Sequence, residues 1–396
     1  IVKAIKAACG PDFPVSLRYS VVSKTKGFRQ GALPGEDYVE AGRDMAESEI
    51  AAKFLQDAGY DMLNCDNGTY DAWYWAHPPV YMPENCNLAE VEHIKNFVDI
   101  PVVCAGRMTL EAAAKSIAEG RLDGAGFARN FLADPEWFTK VIEDREDDIR
   151  PCLRCNYCMD HGRRVAISRD LHLLAYPSYD RQCMTNPMQF QSAQKLRIPP
   201  AERAKKVAVI GGGVAGMNAA ICCADRGHSV VMYEKTGRLG GQALLSDPMW
   251  FKKEMKLYHE YLERQVKKRP AVTVVYNTAA TREMVEENDF DAVIVAVGAE
   301  QIVPPIPGVE KAMMSFDVFG HEDRVGRRVV IIGGGAIAYL TGIMIPADYV
   351  DGLLMDFKPY SIVYSLIKTA VFAYIITSIS AFYGYFAKGN SLEVGA

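Results

Sequence analysis

Cys152, Cys155 and Cys158 fall within seven residues, and 24 residues separate Cys158 from Cys183. Thiolates at such spacing can face one soft centre, either zinc or an iron–sulfur cluster. A second constellation is Gly211-x-Gly213-x-x-Gly216, which follows the apolar run KKVAVI (205–210), while Glu234 closes the next run, HSVVMYEK (228–235). The first glycine permits a tight turn, the second lets a pyrophosphate approach, and the third lets helix and strand pack. The helix N-terminus then faces the phosphates, and the acid accepts from ribose hydroxyls. A weaker copy, Gly333-x-Gly335-x-x-Ala338, sits in and after RRVVIIGGG (327–335), with no acidic strand end clearly following it. A third set pairs a small residue with an arginine: Gly106-Arg107 and Ala128-Arg129. Glycine admits a phosphate to the backbone, and arginine supplies a fixed fork of donors.

These residues need elements to hold them. Runs at 14–20, 61–68, 101–108 and 122–130 read as strands, each followed by a helical segment. Among those segments, TLEAAAKSIAEG (109–120) has Thr109 as N-cap and Gly120 as stop. Four βα units predict a parallel sheet and amount to half of a (β/α)8 barrel. If they are its last four, the two arginine pairs lie after strands seven and eight, where such barrels commonly bind phosphate. Residues 151–200 are irregular and read as a cluster-binding linker, and from residue 201 a βαβ dinucleotide unit begins.

The chain has 396 residues, enough for two or three domains, and its 49 acidic against 44 basic residues disfavour a general nucleic-acid binder. Its mean hydropathy of -0.05 disfavours a polytopic membrane protein. Two uncharged runs of 19 residues, 329–347 and 369–387, are nonetheless long enough to raise the question of a membrane span. Ten cysteines scattered over a chain of this size do not make a secreted disulfide scaffold; a cytoplasmic, reducing setting is expected. The chain starts at Ile1 without initiator Met or signal peptide, and a missing natural start is expected.

With these motifs in view, residues 1 to about 335 resemble the multi-domain Old Yellow Enzyme relatives, which include 2,4-dienoyl-CoA reductases, trimethylamine dehydrogenase and bile-acid enoate reductases. Arg18 in PVSLRYS resembles the strand arginine that contacts FMN, and AGR (105–107) and FARNFLADPEW (127–137) resemble its phosphate loops. CLRCNYC with CMTNP resembles the cluster motif, and GGGVAG, YEK, LGGQ (239–242, ending in Gln242) and VIVAVGAEQIVPPIPG (293–308) resemble the FAD-binding portion. The family usually spaces its second and third cysteines further apart and its fourth much closer than the gaps of two and 24 seen here. By the resemblance, the first four barrel strands are missing, and the proton-donating Tyr or His after strand six has as candidates Tyr70, Tyr74 and His77, of which Tyr70 and His77 are taken as catalytic. DYVDGLLMDFKPYS onward (348–396) instead resembles the permease of lipid-trafficking ABC transporters, so the chain is expected to be a chimera joined at the glycine string.

The fold implied is α/β: a partial FMN-binding TIM barrel (1–150), an iron–sulfur segment (151–200), a Rossmann-like FAD domain (201–326), the start of a truncated NAD(P)-binding unit (327–345) and an apolar permease-like helical tail (346–396). The activity implied is an ene-reductase using NAD(P)H, FAD, a [4Fe–4S] cluster and FMN to reduce an activated C=C bond of a small unsaturated substrate. Cys152, Cys155, Cys158 and Cys183 would hold the cluster; Arg18, Gly106, Arg107, Ala128, Arg129, Gly211, Gly213, Gly216, Glu234, Gln242, Gly333 and Gly335 would hold the other cofactors. The alternatives are an amine dehydrogenase with the reverse electron flow, or a membrane-transport component led by the tail.

Overall fold

A computed structural model describes residues 1–159, 183–189, 199–300, 303 and 309–326. Contacts divide the chain into Ile1–Gly320 and His321–Ala396. In the second unit the described residues hold one short turn of 3-10 helix, Glu322–Arg324.

The first unit carries two parallel four-stranded sheets. In the first, β1 (Ser16–Ser20), β4 (Met62–Asp66), β5 (Val102–Ala105) and β6 (Gly124–Gly126) lie side by side in chain order, with Leu17 beside Leu63, Leu63 beside Val102 and Val103 beside Gly124. Each step is one βα unit, as the spacing predicts. The connecting helices Met45–Asp57, Leu88–Lys95 and Leu110–Ala118 close a core of Ala52, Leu63, Val91, Ile94, Val102 and Leu122. Thr109 caps its helix by accepting from the Ala112 amide, and Asp44 caps Met45–Asp57 through the Glu47 amide. Such a cap satisfies an amide that has no partner inside the helix.

Between β1 and the next helix the chain inserts an antiparallel hairpin, β2 (Thr25–Gly27) with β3 (Gln30–Gly31). Neither it nor the helix Val2–Cys9 is among the elements expected from the sequence. The hairpin strands have no apolar alternation to signal them, and their place is fixed by distant bonds: the Tyr74 hydroxyl and the Trp75 indole N–H both donate to the Ala32 carbonyl.

The second sheet has the order β10 (Ala292–Val295), β7 (Lys206–Ile210), β8 (Ser229–Tyr233), β9 (Val272–Val275). Strand β7 leads through glycines into the helix Val214–Asp225, and the helix Lys253–Lys267 packs beside it, its Tyr258 and Leu262 sharing a core with Met217 and Met232. Among the described residues no helix is long and apolar enough to cross a membrane. The two uncharged runs, Gly333, Gly335 and the permease-like tail lie outside the described residues.

Candidate functional site

The carboxyl ends of all four strands of the first sheet meet at one rim and line a cavity of about 590 Å³. Ligands in parallel α/β folds bind at this end because the strand-end loops are free of the packing that fixes the strands. Arg18 and Ser20 come from β1, Asn64 and Asp66 from β4, Gly106 from the loop after β5, and Ala128 and Arg129 from the start of the helix Ala128–Ala133 that follows β6. Tyr70, Trp73 and His77 line the same space from the segment after β4. Their rings form a ladder: Tyr70 stacks on Trp73 with centroids 5.3 Å apart, and Trp73 meets His77 at 4.2 Å. Tyr74 is turned away, its hydroxyl held by Ala32, so of the three residues weighed as proton donors it does not enter the cavity.

Asp66 was not singled out from sequence, yet it anchors the cavity floor. It is buried and accepts from the Arg18 guanidinium, which also donates to Asn64 at 3.2 Å. Burial pushes the Asp66 carboxyl up to about 6, with Arg18 opposing the rise. Burial, and then the Arg129 and Arg18 cations, pull His77 down to about 4, so its imidazole is neutral at neutral pH. A neutral imidazole offers an N–H donor rather than an acid proton.

These two shifts act on stability with opposite signs. Asp66 holds its proton in the fold after the unfolded chain has lost it, so its contribution is present below its ordinary value of 3.8 and disappears as pH rises to about 6. His77 resists a proton that the unfolded chain accepts, so its contribution is present above 6.5 and disappears as pH falls to about 4. Relative to the unaltered chain, Asp66→Asn is therefore expected to gain stability as pH rises through that window, and His77→Gln as pH falls. Urea midpoints between pH 4 and 7 measure this; three parallel pH profiles would contradict both shifts.

Arg107 departs from its expected role. It lines the cavity, but its guanidinium donates to the Pro79 carbonyl at 2.8 Å, to the Val80 carbonyl, and to Glu254 in the helix beside the second sheet. The side chain is 7% exposed and both of its terminal nitrogens are taken by its own chain, so no fork of donors is left for a phosphate. Arg129 is held differently. Its guanidinium donates to the Pro78 carbonyl at 2.9 Å and to the Asn156 side chain. Burial and the neighbouring Arg154 cation lower its pKa, a repulsion that an anion placed beside them would relieve.

Cys152, Cys155, Cys158 and Cys183 line a second, smaller cavity, together with Arg129 and Asn156. Arg129 and Leu132 line both cavities. Burial raises the Cys155 and Cys158 thiols. Among the described residues no three of His, Cys, Asp and Glu converge as they would on a single metal ion.

At the head of the second sheet Gly211 turns the chain with φ 104°, and Gly213 starts the helix Val214–Asp225 with no side-chain cap. A second glycine turn, at Gly240 and Gly241, comes to meet it: the Gly240 amide donates to the Gly212 carbonyl at 2.9 Å, and Gly213 bridges to Gly240. The uncapped amides and the two apposed glycine turns leave backbone donors where a pyrophosphate would lie. Glu234 ends β8 but is buried, and its carboxylate already accepts from the Gly212 amide at 2.7 Å and from the Thr236 amide and hydroxyl at 2.8 Å. It braces the glycine turn, a task the sequence reading did not give it. Gln242 donates its amide to the Ala299 carbonyl and so ties the second glycine turn to the segment after β10.

The family model described as "NADH:flavin oxidoreductase / NADH oxidase family" matches residues 1–148, and that of "Pyridine nucleotide-disulphide oxidoreductase" matches 205–345. Residues 1–345 belong to the NADH:flavin oxidoreductase family. Within this family the chain is 39% identical to cinnamate reductase of Clostridium sporogenes over 87% of its own length and 50% of the relative's. It is 34% identical to NADH oxidase of Thermoanaerobacter brockii over 85% and 49%. Among solved structures, a 2-naphthoyl-CoA reductase–2-naphthoyl-CoA complex superposes with a TM-score of 0.65 at 25% identity, covering 82% of this chain and 46% of that one. The chain spans about half the length of the curated relatives it matches. A third family model, "Permease MlaE", matches residues 325–396 and overlaps the flavoenzyme match over 325–345, the stretch that holds the glycine string.

Proposed function

We propose that this NADH:flavin oxidoreductase segment belongs to an ene-reductase that takes electrons from NAD(P)H through FAD and a [4Fe–4S] cluster to FMN and on to an activated C=C bond of a small unsaturated substrate. The observation that carries the reading is the pair of cavities joined by Arg129, one walled by strand-end polar groups and an aromatic ladder, the other by four cysteines. Reduction of a double bond needs both hydride delivery and a proton, and bound FMN supplies the hydride chemistry. The chain's own residues do the rest. Arg18, fixed by Asp66 and Asn64, places a positive charge at the cavity floor. Arg129 with the backbone of Gly106 and Ala128 receives the phosphate. Trp73 offers a flat face to a planar acceptor. Tyr70 supplies the proton, and the neutral His77 ring directs a hydrogen bond.

Residues 1–150 then form the FMN portion, 151–200 the cluster segment and 201–326 the FAD portion, with FAD at Gly211, Gly213 and Gly216. A reducing, cytoplasmic setting belongs to this reading. Residues 327–345 start an NAD(P)-binding unit, and 346–396 are a permease segment joined to it. Sequencing one continuous genomic clone across codons 325–350 tests that joint; a single uninterrupted natural frame there overturns it.

The functional test is anaerobic purification with flavin, iron and sulfide analysis, followed by NADH-driven reduction of an aryl enoate such as cinnamate. Bound FMN and stoichiometric iron with sulfide are expected. Replacing Arg129 by Met is expected to weaken FMN binding by about 1.5–3 kcal/mol, the worth of hydrogen bonds to a charged group. A chain that takes up neither flavin nor iron overturns the reading.

A further inference from the structure

Asn156 sits between the second and third cysteines of the motif and lines the four-cysteine cavity, yet its side chain reaches the other cavity's walls. Its Oδ1 accepts from the Arg129 guanidinium, and its Nδ2 donates to the His77 carbonyl at 2.8 Å. Arg129 in turn donates to the carbonyl of Pro78, the residue after His77. One side-chain amide therefore closes a ring of bonds through the cysteine segment, the helix Ala128–Ala133 and the segment that carries the aromatic ladder. Two residues before it, Arg154 makes a parallel link to the Asn130 side chain at 2.8 Å. The backbone of both Arg154 and Asn156 is left-handed, φ 52° and 54°, so their side chains aim correctly only while the loop keeps this unusual course. Nothing in the Asn156 position suits it to bind iron: its amide is occupied on both sides.

We infer that Asn156 is a positioning residue that couples occupation of the cysteine cavity to the shape of the flavin cavity. Four thiolates gathered on a cluster fix the course of residues 152–158, and through Asn156 that course sets where the Arg129 guanidinium and the His77–Pro78 backbone stand. Flavin and cluster then favour each other's binding, and the coupling is reciprocal by thermodynamic necessity. This inference rests on the reading that the two cavities take FMN and an iron–sulfur cluster.

The test uses the full chain under anaerobic conditions, with FMN affinity read from the loss of free-flavin fluorescence before and after reconstitution with iron and sulfide. For the unaltered chain, reconstitution is expected to tighten FMN binding about tenfold, within the usual range of coupling between sites. Asn156→Gly tolerates the left-handed backbone and removes both side-chain bonds; its tightening is expected to fall below about twofold at equal iron content. Asn156→Asp keeps the acceptor for Arg129 and loses the donor to His77, and is expected to retain about threefold. A full tenfold effect in either variant overturns the coupling. So does an unaltered chain that binds FMN equally with and without the cluster, and that result leaves the oxidoreductase reading intact. An unaltered chain that binds no FMN in either state overturns the oxidoreductase reading, and the coupling falls with it.

Discussion

Glu254→Ala is expected to destabilise the chain by about 3–5 kcal/mol, the usual cost of removing one partner from a buried ion pair. Glu254 and Arg107 are 147 residues apart in sequence, and their side chains are only 10% and 7% exposed. The carboxylate lies in the helix Lys253–Lys267 of the second sheet's layer, and the guanidinium at the end of β5. Removing the acid leaves a cation that two carbonyls, of Pro79 and Val80, still hold in place with no counter-charge. The pair is not fully satisfied even when intact, because Arg107 Nε and Glu254 Oε2 have no partner. The double variant Arg107→Met, Glu254→Leu is accordingly expected to lose less than Glu254→Ala alone, since no lone charge remains buried. Urea unfolding of the single and double variants decides it; losses that simply add would show that the two side chains act independently. The neighbouring pair Lys253–Glu84, at 3.0 Å and well exposed, is expected to contribute under about 1 kcal/mol.

The same pair marks where sequence reasoning stopped. The strands of both sheets, the helices of the first and the helix Val214–Asp225 were legible because their signals are local: an apolar run, a capping Thr109, a terminating Gly120; the helix Lys253–Lys267 was not read. The cysteine set was legible too, and Cys183 reaches the cavity of the other three across a gap of 24 residues. What a side chain does once it arrives was harder to read. Gly106-Arg107 and Ala128-Arg129 look alike as dipeptides, but a carboxylate from a distant helix claims the first guanidinium while the second stays at the junction of two cavities. Glu234 has the place of a ribose-binding acid, but its burial beside the Gly212 and Thr236 donors makes it a brace. Asp66 had a usable signal, an acid at the carboxyl end of a buried parallel strand, and that alone could have marked it as part of the site. Asn156 had none, since its importance lies in two bonds to segments some 27 and 79 residues away.

The glycines of the dinucleotide turn separate fold from ligand, and a pair of alanine substitutions is expected to show it. A Cβ at Gly216 would stand 1.8 Å from the Gly211 carbonyl oxygen and 3.0 Å from its carbonyl carbon. The helix Val214–Asp225 can lie against the turn only without a side chain there. Gly216→Ala is therefore expected to cost about 3 kcal/mol, since the obstacle is backbone and not a movable side chain. Gly213 is different. Its φ of -73° suits any residue, and the nearest atom to an added Cβ is 3.8 Å away. Gly213→Ala should leave stability within about 0.5 kcal/mol. It does, however, put a methyl group over the uncapped helix N-terminus, where the second glycine of the fingerprint exists to let a pyrophosphate approach. The expected pattern is thus an unstable Gly216→Ala chain and a stable Gly213→Ala chain with FAD uptake sharply reduced. Thermal unfolding with a flavin release assay reads both. A Gly213→Ala chain that retains FAD at the unaltered level would place the pyrophosphate elsewhere, and a stable Gly216→Ala chain would mean that the helix can slide off the turn without loss.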